Sequence, residues 1–168
     1  NSVILHYEPA DKRLDDGGMI VNDTACEYGY YAADITRSYP VSGKFSADQR
    51  AIYEIVLAAQ KAAIAAVKPG IPYRTMHDTA VAVIVDGLVR LGLLEGEREA
   101  LIESGAHRKY FPHGTGHWIG LNVHDPGSYG IPPGASGPER RRDARTLLRP
   151  GMIFTVEPML NAGSPQVK

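Results

Sequence analysis

Cysteine is nearly absent: Cys26 is the only one in 168 residues. One thiol excludes an internal disulfide framework and suits a reducing compartment, which predicts a cytoplasmic protein. No apolar run approaches the roughly 20 residues that a bilayer-crossing helix needs, and nothing at the start resembles a secretory leader. A membrane partner is therefore not expected. An excess of charge of either sign is missing too. Lys and Arg number 18 against 19 Asp and Glu, so the formal charge of −1 gives no field that would draw in nucleic acid. The basic run from Glu139 to Arg145 is a local exception, and its Pro/Gly-rich setting reads as a solvated loop. Repeats and low-complexity tracts are absent. So is an initiating methionine: the chain opens strand-like with "NSVILHY" and stops at "NAGSPQVK", which predicts a piece of a larger domain.

What is present is enough for a core, with 43% hydrophobic residues in one domain's length. Residues 19 to 39 alternate as two strands around Glu27-Tyr28-Gly29-Tyr30. A two-residue loop at Tyr28-Gly29 would set Asp23 directly opposite Asp34, with Cβ atoms about 4.5–5.5 Å apart. Ser46-Ala47-Asp48-Gln49 is a capping box. Ile52, Ile55, Val56, Ala59, Ala63 and Val67 follow at helical spacing until Pro69-Gly70. Thr75 and Asp78 predict the cap of a second helix to about Leu91, with Val81, Ile84, Val85 and Leu88 buried. Beyond Tyr110 the pattern changes to a Gly-interrupted segment, a strand from Trp118 to Val123, a long loop over 126–146, and a short apolar strand carrying Glu157. A hairpin, then helices, then more strands predicts an α+β fold with antiparallel sheet.

Like charges facing each other across a strand pair are destabilising. If the two aspartates are buried, one is protonated or both are neutralised by a cation. Divalent ions do this well, and carboxylates so spaced suit a two-metal hydrolytic site; the plain alternative is a solvent-facing pair. His113, His117 and His124 crowd one stretch of a chain with six histidines. The glycines at 114, 116 and 120 argue against a helix there, so these histidines belong to a loop. Glu157 is a lone carboxylate among apolar residues, where an unpaired charge is costly; its plain alternative is an outward-turned strand end. His77 and His107 read as surface residues.

The strings "ILHY", "DTACEYGYYAADITRSYPVSGKFSADQRAIYEIVL", "YFPHGTGHWIGLNVHD" and "LLRPGMIFTVEPML" together resemble the catalytic domain of Xaa-Pro aminopeptidases, with prolidases close behind. The resemblance runs through nearly all of the chain, in order and spacing. It implies an incomplete pita-bread fold, an antiparallel sheet flanked by helices, with residues 1–168 as part of a catalytic metallopeptidase domain. It also implies two divalent ions, manganese first and cobalt or zinc as alternatives, held by Asp23, Asp34, His117 and Glu157. His6, His113 and His124 match the family's outer histidines, which orient substrate and stabilise the tetrahedral intermediate. The implied reaction uses water activated by two metals to cut the bond before a proline in second position, in a homo-oligomer. A prolidase acting on dipeptides, or a metal-free peptide-binding module on the same fold, are the alternatives. Creatinase-like chemistry without metal fits less well, because those enzymes lack this acidic set. The sequence departs from the family at Thr24-Ala25 and at Met159-Leu160-Asn161. It also ends before the second, bridging glutamate that the family places after the first.

Overall fold

The computed structural model describes residues 13–127, 129 and 146–161. His6, most of the long loop and the basic run from Glu139 to Arg145 lie outside them. Among the described residues, no helix is long and apolar enough to cross a membrane.

A long antiparallel hairpin opens the described chain. β1 (Met19–Thr24) pairs with β4 (Ile35–Pro40), and β2 (Glu27–Tyr28) pairs with β3 (Tyr31–Ala32). The turn is Gly29-Tyr30, not Tyr28-Gly29 as the alternation suggested. Both turn residues have positive φ, 57° and 68°, as the two-residue turn that matches strand twist demands. Moving the turn by one residue moves the register by two. Asp23 therefore stands opposite Thr36 rather than Asp34. A two-residue shift preserves the face, so the aspartates become diagonal neighbours on one side of the ribbon.

Helix α1 (Ala47–Ala66) starts at the expected capping box: Gln49 N donates to Ser46 Oγ and Ser46 N donates to the Gln49 side chain. Gln49 also donates to the Gly17 carbonyl at 2.9 Å, tying the helix to the base of the hairpin. α2 (Arg74–Arg90) packs along α1 and buries Met76, Ala80, Val81, Ile84, Val85 and Leu88. Its start corrects the Thr75–Asp78 expectation. The cap falls two residues earlier, at Tyr73, which offers no side-chain cap. Asp78 is instead spent on Arg74 at 3.0 Å. Gly87 sets the distance between the helices, because a Cβ there would fall 2.6–2.8 Å from the Ile55 side chain. A short helix, α3 (Arg98–Ser104), and a 3₁₀ turn (Ala106–Lys109) follow, neither signalled by the periodicity.

The expected strand from Trp118 to Val123 is reduced to a single bridge, Trp118 with Phe154. Past Gly120 the chain turns on Asp125, whose carboxylate accepts from the Asn122 amide nitrogens and whose own N–H returns to the Trp118 carbonyl. Around the bridge, however, the backbone runs as a narrow antiparallel pair. Ile119 N donates to Ile153 O, Thr155 N to His117 O at 2.9 Å, and Glu157 N to Thr115 O at 2.7 Å. This pair is joined to the hairpin where Ala32 N donates to the Gly120 carbonyl at 2.8 Å, and to α1 where Gln60 donates to Val156 O. Three distant parts of the sequence meet along those bonds.

Candidate metal centre

The pleat of the narrow pair decides which side chains share a face. His117 lies opposite Thr155, and Glu157 lies two residues further along the same side. Gly116 permits the close approach, since a Cβ at that position would overlap the Thr155 carbonyl. The Ala32–Gly120 bond brings in the end of the hairpin, and with it Asp34. The result is a cluster in which one ligand atom each of Asp34, His117 and Glu157 lies within 4.8 Å of the others. His117 Nε2 is 3.0 Å from Asp34 Oδ2 and 3.1 Å from Glu157 Oε1.

The hydrogen bonds around the cluster fix its chemistry. His117 Nδ1 lies 2.9 Å from the Trp118 carbonyl, an oxygen that can only accept, so the proton belongs on Nδ1. Nε2 then aims a lone pair at two carboxylate oxygens. Three acceptors converging without a proton between them suit a cation. Donor atoms about 2.1 Å from a shared ion stand roughly 3.0–3.4 Å apart, which fits the two contacts of Nε2. Protonation of His117 on both nitrogens would also satisfy the contacts, but as a buried imidazolium with one N–H divided between two partners. Thr155 completes the surroundings. It accepts from His117 N at 2.9 Å and donates to Glu157 Oε1 at 2.7 Å, which leaves that carboxylate one fixed orientation.

Asp23 is exposed on β1 and lies outside this three-residue cluster. His124 stacks flat on His117, with ring centroids 3.8 Å apart and planes 11° from parallel. His113 is half-buried; its Nδ1 lies 2.7 Å from the Gly114 carbonyl, and its buried Nε2 has no partner among the described residues. The two histidines read as surface residues are not so placed. His107 is 5% exposed. His77 is partly buried, and its Nδ1 stands 2.9 Å from the hydroxyl of buried Thr115. Burial, with Arg74, His107 and His113 adding repulsion, pushes the His77 imidazole down to about 4.

The sequence reading missed Thr155, Thr115 and Tyr73 at this centre. A signal existed for Thr155: in an extended segment the residue two before Glu157 shares its face. None existed for Tyr73, which is brought in by the helix start that the Thr75–Asp78 pattern misplaced.

A family model described as metallopeptidase family M24 matches residues 1–167. The Xaa-Pro aminopeptidase of Haemophilus influenzae is 46% identical over 158 residues, which cover 94% of this chain and 34% of that protein. The Xaa-Pro dipeptidase of Homo sapiens is 40% identical over 169 residues, covering 94% and 33%. The chain thus spans about a third of the length of the curated relatives it matches. Among solved structures, aminopeptidase PepP of Pseudomonas aeruginosa aligns with a TM-score of 0.84 at 44% identity, over 95% of this chain and 34% of that one. A zinc-substituted E. coli aminopeptidase P in complex with product aligns with a TM-score of 0.84 at 42% identity, with the same coverage.

Proposed function

The chain belongs to metallopeptidase family M24, in the pita-bread fold of its aminopeptidase P neighbours, and from that premise we propose that it serves a metal-dependent Xaa-Pro aminopeptidase. The protein releases the N-terminal residue from peptides with proline in second position. Residues 1–168 act in it as part of the catalytic domain. The single observation carrying this reading is the convergence of one ligand atom each of Asp34, His117 and Glu157 within 4.8 Å of one another.

Asp34, His117 and Glu157 would hold divalent ions, with Asp23 joining from its diagonal place on the hairpin. Bound ions would supply Lewis acidity toward a carbonyl and a nucleophile at neutral pH. The chain's own residues do the rest. Thr155 orients the Glu157 carboxylate, and the Trp118 carbonyl fixes the His117 tautomer. His124, stacked on His117, limits movement of that ring. His113 keeps its Nδ1 proton on Gly114 and offers Nε2 to the substrate as an acceptor; His6 serves with it. Manganese is the expected ion, ahead of cobalt or zinc, although one E. coli neighbour holds zinc. The lone free Cys26 supports a cytoplasmic setting. The exposed apolar hairpin residues Val21, Ile35 and Tyr39 support a homo-oligomer.

The test joins metal and activity. The intact protein, purified without chelator, carries close to two divalent ions per chain, and Asp34→Ala abolishes release from an Xaa-Pro-Xaa tripeptide. Absence of metal would favour a binding module instead. The 40% identity to the human dipeptidase keeps a second reading, an Xaa-Pro dipeptidase. Comparing an Xaa-Pro dipeptide with a longer peptide separates the two.

A further inference from the structure

Between His113 and His117 the chain carries two glycines and one side chain, that of Thr115. Glycine gives up more conformational freedom on folding than any other residue and has no Cβ to pack. A segment built this way must be gripped from outside, and Thr115 is where it can be held. The residue is 1% exposed, and its hydroxyl meets His77 Nδ1 on α2 at 2.9 Å. Its carbonyl accepts from Glu157 N at 2.7 Å, and His117 Nε2 stands 3.1 Å from Glu157 Oε1. One residue thus joins α2 to the strand pair that carries two members of the cluster. We propose that His77 is a positioning residue for the metal centre, acting through the Thr115 hydroxyl to fix the separation of His117 from Glu157.

Packing alone does not call for this pair. Valine would fill the place of Thr115 without a hydroxyl, whose burial is costly unless it is bonded. His77 is likewise a polar ring set beside Met76, Ala80 and Val81 on a helix that otherwise buries apolar residues. Bonded to each other the two groups are satisfied, and a hydrogen bond has a direction that an apolar contact lacks. Phe111 braces the imidazole from the same segment, its ring centroid 5.6 Å from that of His77 and 5.0 Å from that of His113. His77 therefore meets the segment twice, before the glycines and between them. On its other side the segment is tied to residues 155–161, by Thr155 N to His117 O and Asn161 N to Tyr110 O. The histidine segment is a layer held between α2 and the Glu157 segment. Without the grip on the helix side, Gly114 and Gly116 are freer to turn and the place of His117 rests on the backbone ladder alone.

This inference rests on the metal-centre reading proposed above. The test is the Mn²⁺ affinity of the intact protein, by competition with a chelating dye, with urea denaturation of the metal-free form beside it. Thr115→Val and His77→Leu should each weaken Mn²⁺ binding about tenfold, the lower end for groups that orient metal ligands. Thr115→Ser, which keeps the hydroxyl, and His77→Gln, whose amide can reach it, should restore most of the affinity. The double variant, Thr115→Val with His77→Leu, should lose no more than either alone, since both remove one bond. Lowered stability with the affinity of the folded protein unchanged would overturn the positioning role, as would losses that add in the double variant. Should His77→Leu fail to fold, the near-isosteric Thr115→Val decides by itself. An unaltered protein that takes no Mn²⁺ removes the metal centre and this role with it, whereas binding that survives in full in Thr115→Val removes this role alone.

Discussion

The hydroxyl of Thr155 donates to Glu157 Oε1 at 2.7 Å, from the position directly opposite His117 across the narrow strand pair. One small side chain thereby touches both residues that would share an ion, since it also accepts from the His117 backbone N–H. Thr155→Val keeps the shape and removes both bonds. The Glu157 carboxylate is freed to rotate and the His117 N–H loses its acceptor. Partners of this kind are typically worth 10–100-fold in metal affinity, and leaving a buried donor unmet costs about 1–3 kcal/mol. Competition titration with a chelating dye should show metal affinity falling about 10–100-fold. Unchanged affinity would mean that Glu157 is held by something else.

The same pair of segments makes a second prediction at Gly116. A Cβ there would run into the Thr155 carbonyl, backbone that cannot step aside without opening the ladder. Gly116→Ala should cost about 3 kcal/mol, the upper end of overpacking, and should separate His117 from Glu157. Chemical denaturation checks the stability, and metal titration of the folded fraction checks the separation. A stable variant with full affinity would show that the ladder yields more easily than its geometry suggests.

These residues also show where the sequence was legible and where it was not. The α1 cap and both buried stripes could be read because capping and helical periodicity are local. Asp34, His117 and Glu157 could be named singly, but nothing local says that Ala32 will bond Gly120 and so bring the hairpin to the histidine segment. The Asp23–Asp34 register failed by one turn residue, because Tyr30 takes a positive φ that is uncommon for a tyrosine. The face survived because pleating repeats every two residues. His107 and His77 were misplaced because polar neighbours in sequence say little about burial when a helix or 3₁₀ turn folds them inward.

Gly87 predicts a variant that separates scaffold from centre. Alanine is the better helix former by about 1 kcal/mol in a helix interior. Here its Cβ would meet three carbons of Ile55 at 2.6–2.8 Å, so α1 and α2 must move apart or Ile55 must leave its place. Gly87→Ala should therefore destabilise by about 1–2 kcal/mol net. Pairing it with Ile55→Val, which removes one of those carbons, should recover part of the loss. Metal affinity should stay within twofold. A stabilised single variant would show that the helix contact is looser than described.

His77 gives the pH dependence. Its imidazole is lowered from 6.5 to about 4, chiefly by burial and then by the nearby cationic and imidazole groups, Arg74 first. The unfolded chain takes up this proton near pH 6.5, but the folded chain takes it up only near pH 4. Between those values the unfolded state binds more protons, so stability falls as the solution is acidified. The contribution is fully present above pH 6.5 and shrinks toward pH 4, by about 3 kcal/mol at most. His77→Gln removes the titration and leaves an amide that can still reach Thr115 Oγ1. Urea denaturation at pH 7.5 and pH 4.5 should show the native protein losing about 2 kcal/mol more than the variant between the two conditions. Equal losses would mean that His77 takes up its proton alike in the folded and unfolded chains, and would assign the acid sensitivity to other groups.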